Sequence, residues 1–224
     1  MTPALLPPDA LLWLDYVGIA VFAISGALVA AEKKQTLVTF IFFAGVTGVG
    51  GGTIRDLLIG APVFWVHTNS TLLTCIAAAV AVWFLSRKVI VEKALLWFDA
   101  IGLAAYATYG AAKALTFGVA PVPAFAMGVM TACVGGIIRD VLAGEPSILM
   151  RPELYVTAAA LASGLYVSAT LAGAPPGLAA LVAGLSGFSL RGAAIARGLS
   201  LPAYDRGPAQ LPVPHGNIVG TMPP

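Results

Sequence analysis

Apolar residues in this chain gather into seven blocks, separated by short stretches that hold most of the charge. The blocks cover roughly 11–31, 36–60, 69–86, 95–116, 121–144, 153–173 and 177–199. Each is close to the length of about 20 residues that an α-helix needs to cross a bilayer. The pattern predicts an all-α membrane protein with seven transmembrane helices in a single domain over 1–199, followed by a Pro- and Gly-rich, flexible cytoplasmic tail over 200–224. No Lys or Arg precedes the first block, which is itself long enough to span, so the N-terminus reads as a retained helix and not a cleaved signal.

Composition sharpens the picture. Of the 224 residues, 59% are hydrophobic and 10% charged, with a mean hydropathy of +0.92, whereas soluble domains carry about 25% charged residues. A net charge of +2 offers no basic surface for a run of phosphates, so nucleic acid is excluded as a partner. The lipid bilayer is the expected surrounding, that of the cell's inner membrane. Lys33, Lys34, Arg87, Lys88, Lys93, Arg151, Arg191, Arg197 and Arg206 all fall at one set of helix ends. By the positive-inside rule this predicts an outside N-terminus and a cytoplasmic C-terminus. Trp13 and Trp65 then lie near the outer interface, and Trp83 and Trp97 near the inner one. Cys75 and Cys133 sit in apolar stretches and read as packing residues. His67 reads as a solvated interface residue, and Glu145 as a carboxylate that attracts cations to the inner mouth.

The chain also repeats itself at a constant offset of 84 residues. Leu11-Leu12-Trp13-Leu14-Asp15 returns as Leu95-Leu96-Trp97-Phe98-Asp99, and Thr47, Gly51, Gly52, Ile54, Arg55, Asp56, Leu58, Gly60 and Pro62 return as Thr131, Gly135, Gly136, Ile138, Arg139, Asp140, Leu142, Gly144 and Pro146. Chance matching of apolar helices would not keep Trp, Arg-Asp and Pro in register. The units, about 11–94 and 95–176, hold three spans each, so the second must enter the membrane from the opposite face. The predicted architecture is an inverted 3+3 repeat plus a seventh helix at about 177–199. In such folds binding or permeation sites gather near the midplane on interrupted helices. The seventh helix carries Gly173, Gly177, Ala180, Gly184 and Gly187, a small-residue face suited to packing.

The candidate chemistry lies in spans two and five. Gly50, Gly51 and Gly52, and their counterparts Gly135 and Gly136, interrupt these spans near their middles. Each costs about 1 kcal/mol against Ala in a helix, which allows a kink or a short unwound stretch with free carbonyls. Close helix packing is the other reading. Arg55 and Arg139 follow, and a charge at mid-membrane costs about 2.5–3.5 kcal/mol or more, so each is expected to face a partner or water. Neighbouring residues in a helix point apart, so Asp56 and Asp140 are not expected to face the adjacent arginines. Asp15 and Asp99 are the predicted partners, giving two repeat-related contacts, Asp15–Arg55 and Asp99–Arg139. Lys113, whose counterpart is Val29, is expected either to snorkel to the outer interface or to sense the membrane field. No catalytic triad, metal-ligand set or phosphate loop has the surroundings its chemistry needs, so neither an enzyme nor a cofactor is expected.

These features resemble the trimeric intracellular cation (TRIC) channel family in its prokaryotic form, the marks being Gly-Gly-Gly-Thr-Ile-Arg-Asp at 50–56 and Gly-Gly-Ile-Ile-Arg-Asp at 135–140. The resemblance implies a homotrimer with a pore in each protomer, lined by helices two and five bent at Gly50–Gly52, Gly135 and Gly136, with Arg55 and Arg139 beside it. It also implies passage of K⁺ and Na⁺ with little discrimination. The basic motif of animal members is reduced here to Lys113, which sets lipid binding and voltage gating of the animal type apart. A secondary transporter for a small amino acid such as glycine is the alternative, since inverted repeats suit alternating access equally. A non-conducting scaffold is a third reading.

Overall fold

The computed structural model describes residues 8–85, 91–150 and 152–202. Arg87, Lys88, Arg151, Arg206 and the tail beyond 202 lie outside the described residues, as does the side chain of Lys93. Seven α-helices and no strand occur among the described residues: α1 (Pro8–Glu32), α2 (Leu37–Leu58), α3 (Asn69–Leu85), α4 (Val91–Thr116), α5 (Pro121–Leu142), α6 (Val156–Leu171) and α7 (Pro176–Arg197).

The duplication is most exact in the ends of α2 and α5. Shifted by 84, α2 coincides with α5 at both ends, although one begins at Thr36 and the other at Pro121. Thr36 caps α2 by accepting a hydrogen bond from the Thr39 N–H, and Pro121 opens α5, where its missing N–H costs nothing. Both end in the same left-handed turn. Gly60 and Gly144 have φ of 67° and 69°, and the next N–H reaches back to the Asp56 or Asp140 carbonyl at 2.9 and 3.0 Å.

Within each repeat the three helices pack on one another, and the repeats meet where α1 lies on α4 and α2 crosses α5. α7 packs on α4 and α6 outside the repeat. Gly187 allows this approach, since a Cβ there would press on Ala162, and Arg191 on the same helix is buried against Glu153 at 2.7 Å. Arg191 is therefore an internal ion-pair residue and not one of the solvated charges that mark a membrane face.

α1, α2, α5 and α7 are long and apolar enough to cross a membrane. At 17 and 16 residues, α3 and α6 reach only about 25 Å at 1.5 Å per residue, somewhat short of the hydrocarbon core. Cys75 and Cys133 are free and buried in packing positions, and His67 is exposed.

Candidate functional site

The centre of the molecule is the crossing of α2 and α5. A Cβ on Gly51 would fall on the Thr131 carbonyl oxygen, and one on Gly135 on the Thr47 carbonyl oxygen. The two backbones therefore touch, each glycine lying on the repeat-related threonine. Gly50 lies against Ile138, where a Cβ would meet Cδ1 at 3.2 Å. This corrects the expectation of an unwound stretch: both helices run unbroken through their glycines. An unmade backbone hydrogen bond in lipid costs several kcal/mol, whereas a glycine in a continuous helix keeps the bond and gains close approach.

One residue further on, Gly52 and Gly136 make room for a buried charge cluster in each repeat. A Cβ on Gly52 would lie 2.7 Å from the Phe64 ring, and one on Gly136 2.9 Å from the Tyr155 Oη. In the first repeat, Arg55 is fully buried and its Nε donates to Asp56 Oδ1 at 2.8 Å. Asp56 also holds the Lys113 ammonium at 2.9 Å. The Arg55 guanidinium lies 4.8 Å from the centre of the Tyr109 ring and 6.0 Å from that of Phe64, a cation–π setting. In the second repeat, Arg139 Nε donates to Asp140 Oδ1 at 2.9 Å, while Nη1 donates to Asp99 Oδ1 at 2.7 Å and to the Ser25 hydroxyl.

Each Asp of the Arg-Asp pair does a second task. Asp56 Oδ2 accepts the Phe64 N–H at 3.2 Å, and Asp140 Oδ2 accepts the Ile148 N–H at 2.9 Å, so each carboxylate ties the loop after its helix back to the cluster.

Of the two predicted contacts, Asp99–Arg139 is present and Asp15–Arg55 is absent. Asp15 instead accepts from the Tyr106 hydroxyl at 3.4 Å. The reason is one diverged position. Ser25 on α1, beside Arg139, corresponds to Tyr109 on α4, beside Arg55; the small hydroxyl lets Arg139 pass to Asp99, whereas the tyrosine ring lies over Arg55.

Two further expectations are corrected. Adjacent Arg and Asp do pair, in both repeats, because the long guanidinium arm curls back across the helix in its last turn, where the rule for short side chains no longer limits it. Lys113 does not snorkel: its side chain is 14% exposed, bound to Asp56 and 5.7 Å from the Phe64 ring centre. It is the second cation of the first cluster.

The clusters therefore differ in composition. Arg55, Asp56 and Lys113 form a cation–carboxylate–cation triad, with the buried Asp15 carboxylate near both cations. Asp99, Arg139 and Asp140 form a carboxylate–cation–carboxylate triad with one excess negative charge. At the Val29 position, which matches Lys113, the second repeat has a cavity of about 330 Å³ lined by Val29, Glu32, Leu95, Leu96, Asp140, Ala143 and Glu145. Lys33 pairs with Glu145 at its rim, and that hydrogen bond raises the Lys33 ammonium above its ordinary pKa, so it stays charged through neutral pH.

Fold and site together define a multi-pass α-helical membrane protein of the inverted-repeat class, with buried charge clusters on either side of a glycine crossing. The family model described as "Glycine transporter" matches twice, over residues 12–87 and 96–170, one copy for each repeat, and the chain belongs to that family. It is 39% identical to a UPF0126 membrane protein of Vibrio cholerae, over 85% of this chain and 81% of that one. It is 37% identical to the UPF0126 inner membrane protein YadS of Escherichia coli K12, over 86% and 95%. Among solved structures it is similar to the TRIC trimeric intracellular cation channel orthologue of Rhodobacter sphaeroides, with 42% identity, a TM-score of 0.83, and 85% of this chain and all of that chain covered. The fold and sequence are those of the prokaryotic TRIC family.

Proposed function

We propose that this protein is a homotrimeric cation channel of the cell membrane, passing K⁺ and Na⁺ through a pore within each protomer. The similarity to solved channels carries this reading, since the alignments at 42% and 33% identity span the whole of each channel chain, one described as a cation channel orthologue and the other as conducting through TRIC cation channels. The path runs along the seam of α2 and α5, from one triad to the other. Gly50, Gly51, Gly52, Gly135 and Gly136 form its constriction, and Arg55 and Arg139 are the polar groups beside it. With the backbones in contact at Gly51 and Gly135, conduction requires α2 and α5 to separate there, and glycines make that separation inexpensive.

Arginine in a cation path is tolerable because neither guanidinium is free. Asp56 neutralises Arg55, and Asp99 with Asp140 outweighs Arg139. The N-terminus lies outside and the C-terminus inside, which sets the Lys113 triad toward the exterior and the Asp99–Asp140 triad toward the cytoplasm.

A second reading is a secondary transporter for glycine, favoured by the description of the matching family model. Purified protein in liposomes separates the two. A channel gives K⁺ efflux that excess glycine leaves unchanged, and Gly51→Leu, whose side chain would meet the Thr131 carbonyl, abolishes it. Saturable glycine uptake with no ionic leak would replace the channel with the transporter.

A further inference from the structure

The internal repeat lets one half of the molecule act as a template for the other. In the first repeat a cation is held at a defined place, the Lys113 ammonium on Asp56 at 2.9 Å. Asp140 is the repeat counterpart of Asp56, but Val29 stands where Lys113 would be, and a cavity of about 330 Å³ opens between Val29 and Asp140. Two carboxylates that the cluster around Asp56 lacks also line it: Glu32, where the counterpart is Thr116, and Glu145, where the counterpart is Ala61.

We propose that the cavity between Val29 and Asp140 binds a monovalent metal cation in the place that the Lys113 ammonium takes in the other repeat. This deepens the cation reading above and rests on it.

Charge supports the assignment. Among the described residues, α1 contributes Glu32, α4 the apolar Leu95 and Leu96, α5 Asp140, and the turn after α5 Glu145, with Lys33 at the rim on Glu145 and Arg139 behind the wall on Asp140. Three carboxylates line the cavity among the described residues. Asp99 lies behind the cavity wall and is not part of the lining. Its side chain is 2% exposed, Oδ1 is held by Arg139, and Oδ2 has no hydrogen-bond partner among the described residues. It sits one helical turn beyond Leu95 and Leu96 of the cavity wall. Arg139 supplies the positive charge that a carboxylate buried at that depth needs. The choice of a monovalent ion follows from the donors: no group of three acidic or imidazole side chains converges among the described residues to hold a divalent metal. The cavity is roomy enough for an ion that keeps part of its water.

The test uses thallium(I), a K⁺ mimic with an anomalous signal. Crystals of the full chain grown in thallium(I) acetate should show an anomalous peak beside Asp140, within reach of Val29 and Glu32. The peak should disappear in Val29→Lys, whose tethered ammonium takes the place. Val29→Met fills the cavity without charge and should remove the peak too, which keeps the test available if the lysine variant does not fold. No peak beside Asp140 in the unsubstituted protein, or a peak that survives both substitutions, overturns the site. The channel reading is judged separately by ionic flux: thallium bound without flux removes the channel and leaves the site, whereas flux without thallium at Asp140 removes the site and leaves the channel.

Discussion

The two triads sit on α2 and α5, which match residue for residue, yet one joins two cations to a carboxylate and the other joins two carboxylates to a cation. What the repeats share is scaffold: the glycine crossing, the Arg-Asp pair, the left-handed turn at Gly60 and Gly144, and the carboxylate that ties down the following loop. What they do not share is the ring of side chains around each guanidinium. Ser25 against Tyr109, Val29 against Lys113, and Ile148 against Phe64 decide which partner each arginine takes and what is left over. Duplication supplied two equal frames, and three positions made them unequal. Buried charges are well placed for such divergence, because removing or adding one partner changes the energy by several kcal/mol.

The comparison breaks most severely at Arg139. Arg139→Ala leaves Asp99 and Asp140 buried without their shared cation, and should cost about 3–5 kcal/mol. Arg55→Ala leaves Asp56 with Lys113 and the Phe64 N–H, so its cost should be smaller, about 1–3 kcal/mol. Thermal unfolding of the detergent-solubilised variants measures the order, and equal losses would erase the distinction between the triads. Tyr109→Ser tests the origin of the difference. It should lose about 2–4 kcal/mol from the missing ring, and its structure should show Arg55 within 4 Å of Asp15; an arginine that stays on Asp56 alone would remove Tyr109 as the cause. Gly51→Leu and Gly135→Leu should behave alike, each losing about 1–3 kcal/mol through overpacking at the crossing, since each meets the same carbonyl of the other repeat. The smallest effect belongs to Glu145→Gln. Lys33 and Glu145 are exposed at the cavity rim, and losing such a pair should change the unfolding free energy by less than about 1 kcal/mol.

Much of the frame was legible in the sequence because the duplication kept rare residues in register. Trp13 with Trp97 and Arg55-Asp56 with Arg139-Asp140 gave the repeat, the odd number of spans gave the inversion, and apolar blocks gave helix positions to within a few residues. Asp99–Arg139 could be read from charge and depth alone. The rest depended on size and reach. Tyr109 and Ser25 look like ordinary members of apolar helices, and only the fold puts both on a guanidinium. Adjacent Arg and Asp point apart at Cβ, but a side chain as long as arginine can return to its neighbour. Lys113 lies near a helix end, but its ammonium is bound to the carboxylate of Asp56. Comparing Val29 with Lys113 carried a signal that could have been pursued, since an unmatched lysine beside a matched aspartate implies either a partner here or a space there. At the glycines, the sequence allowed both interruption and close packing, and the penalty for open backbone in lipid decided for packing.

The most direct test is the current through the protein reconstituted in a planar bilayer between unequal KCl solutions. The account predicts unitary steps whose reversal potential lies near the K⁺ equilibrium potential and which Gly51→Leu eliminates. Absence of steps, or a reversal potential near that of Cl⁻, would contradict a cation path along the seam of α2 and α5.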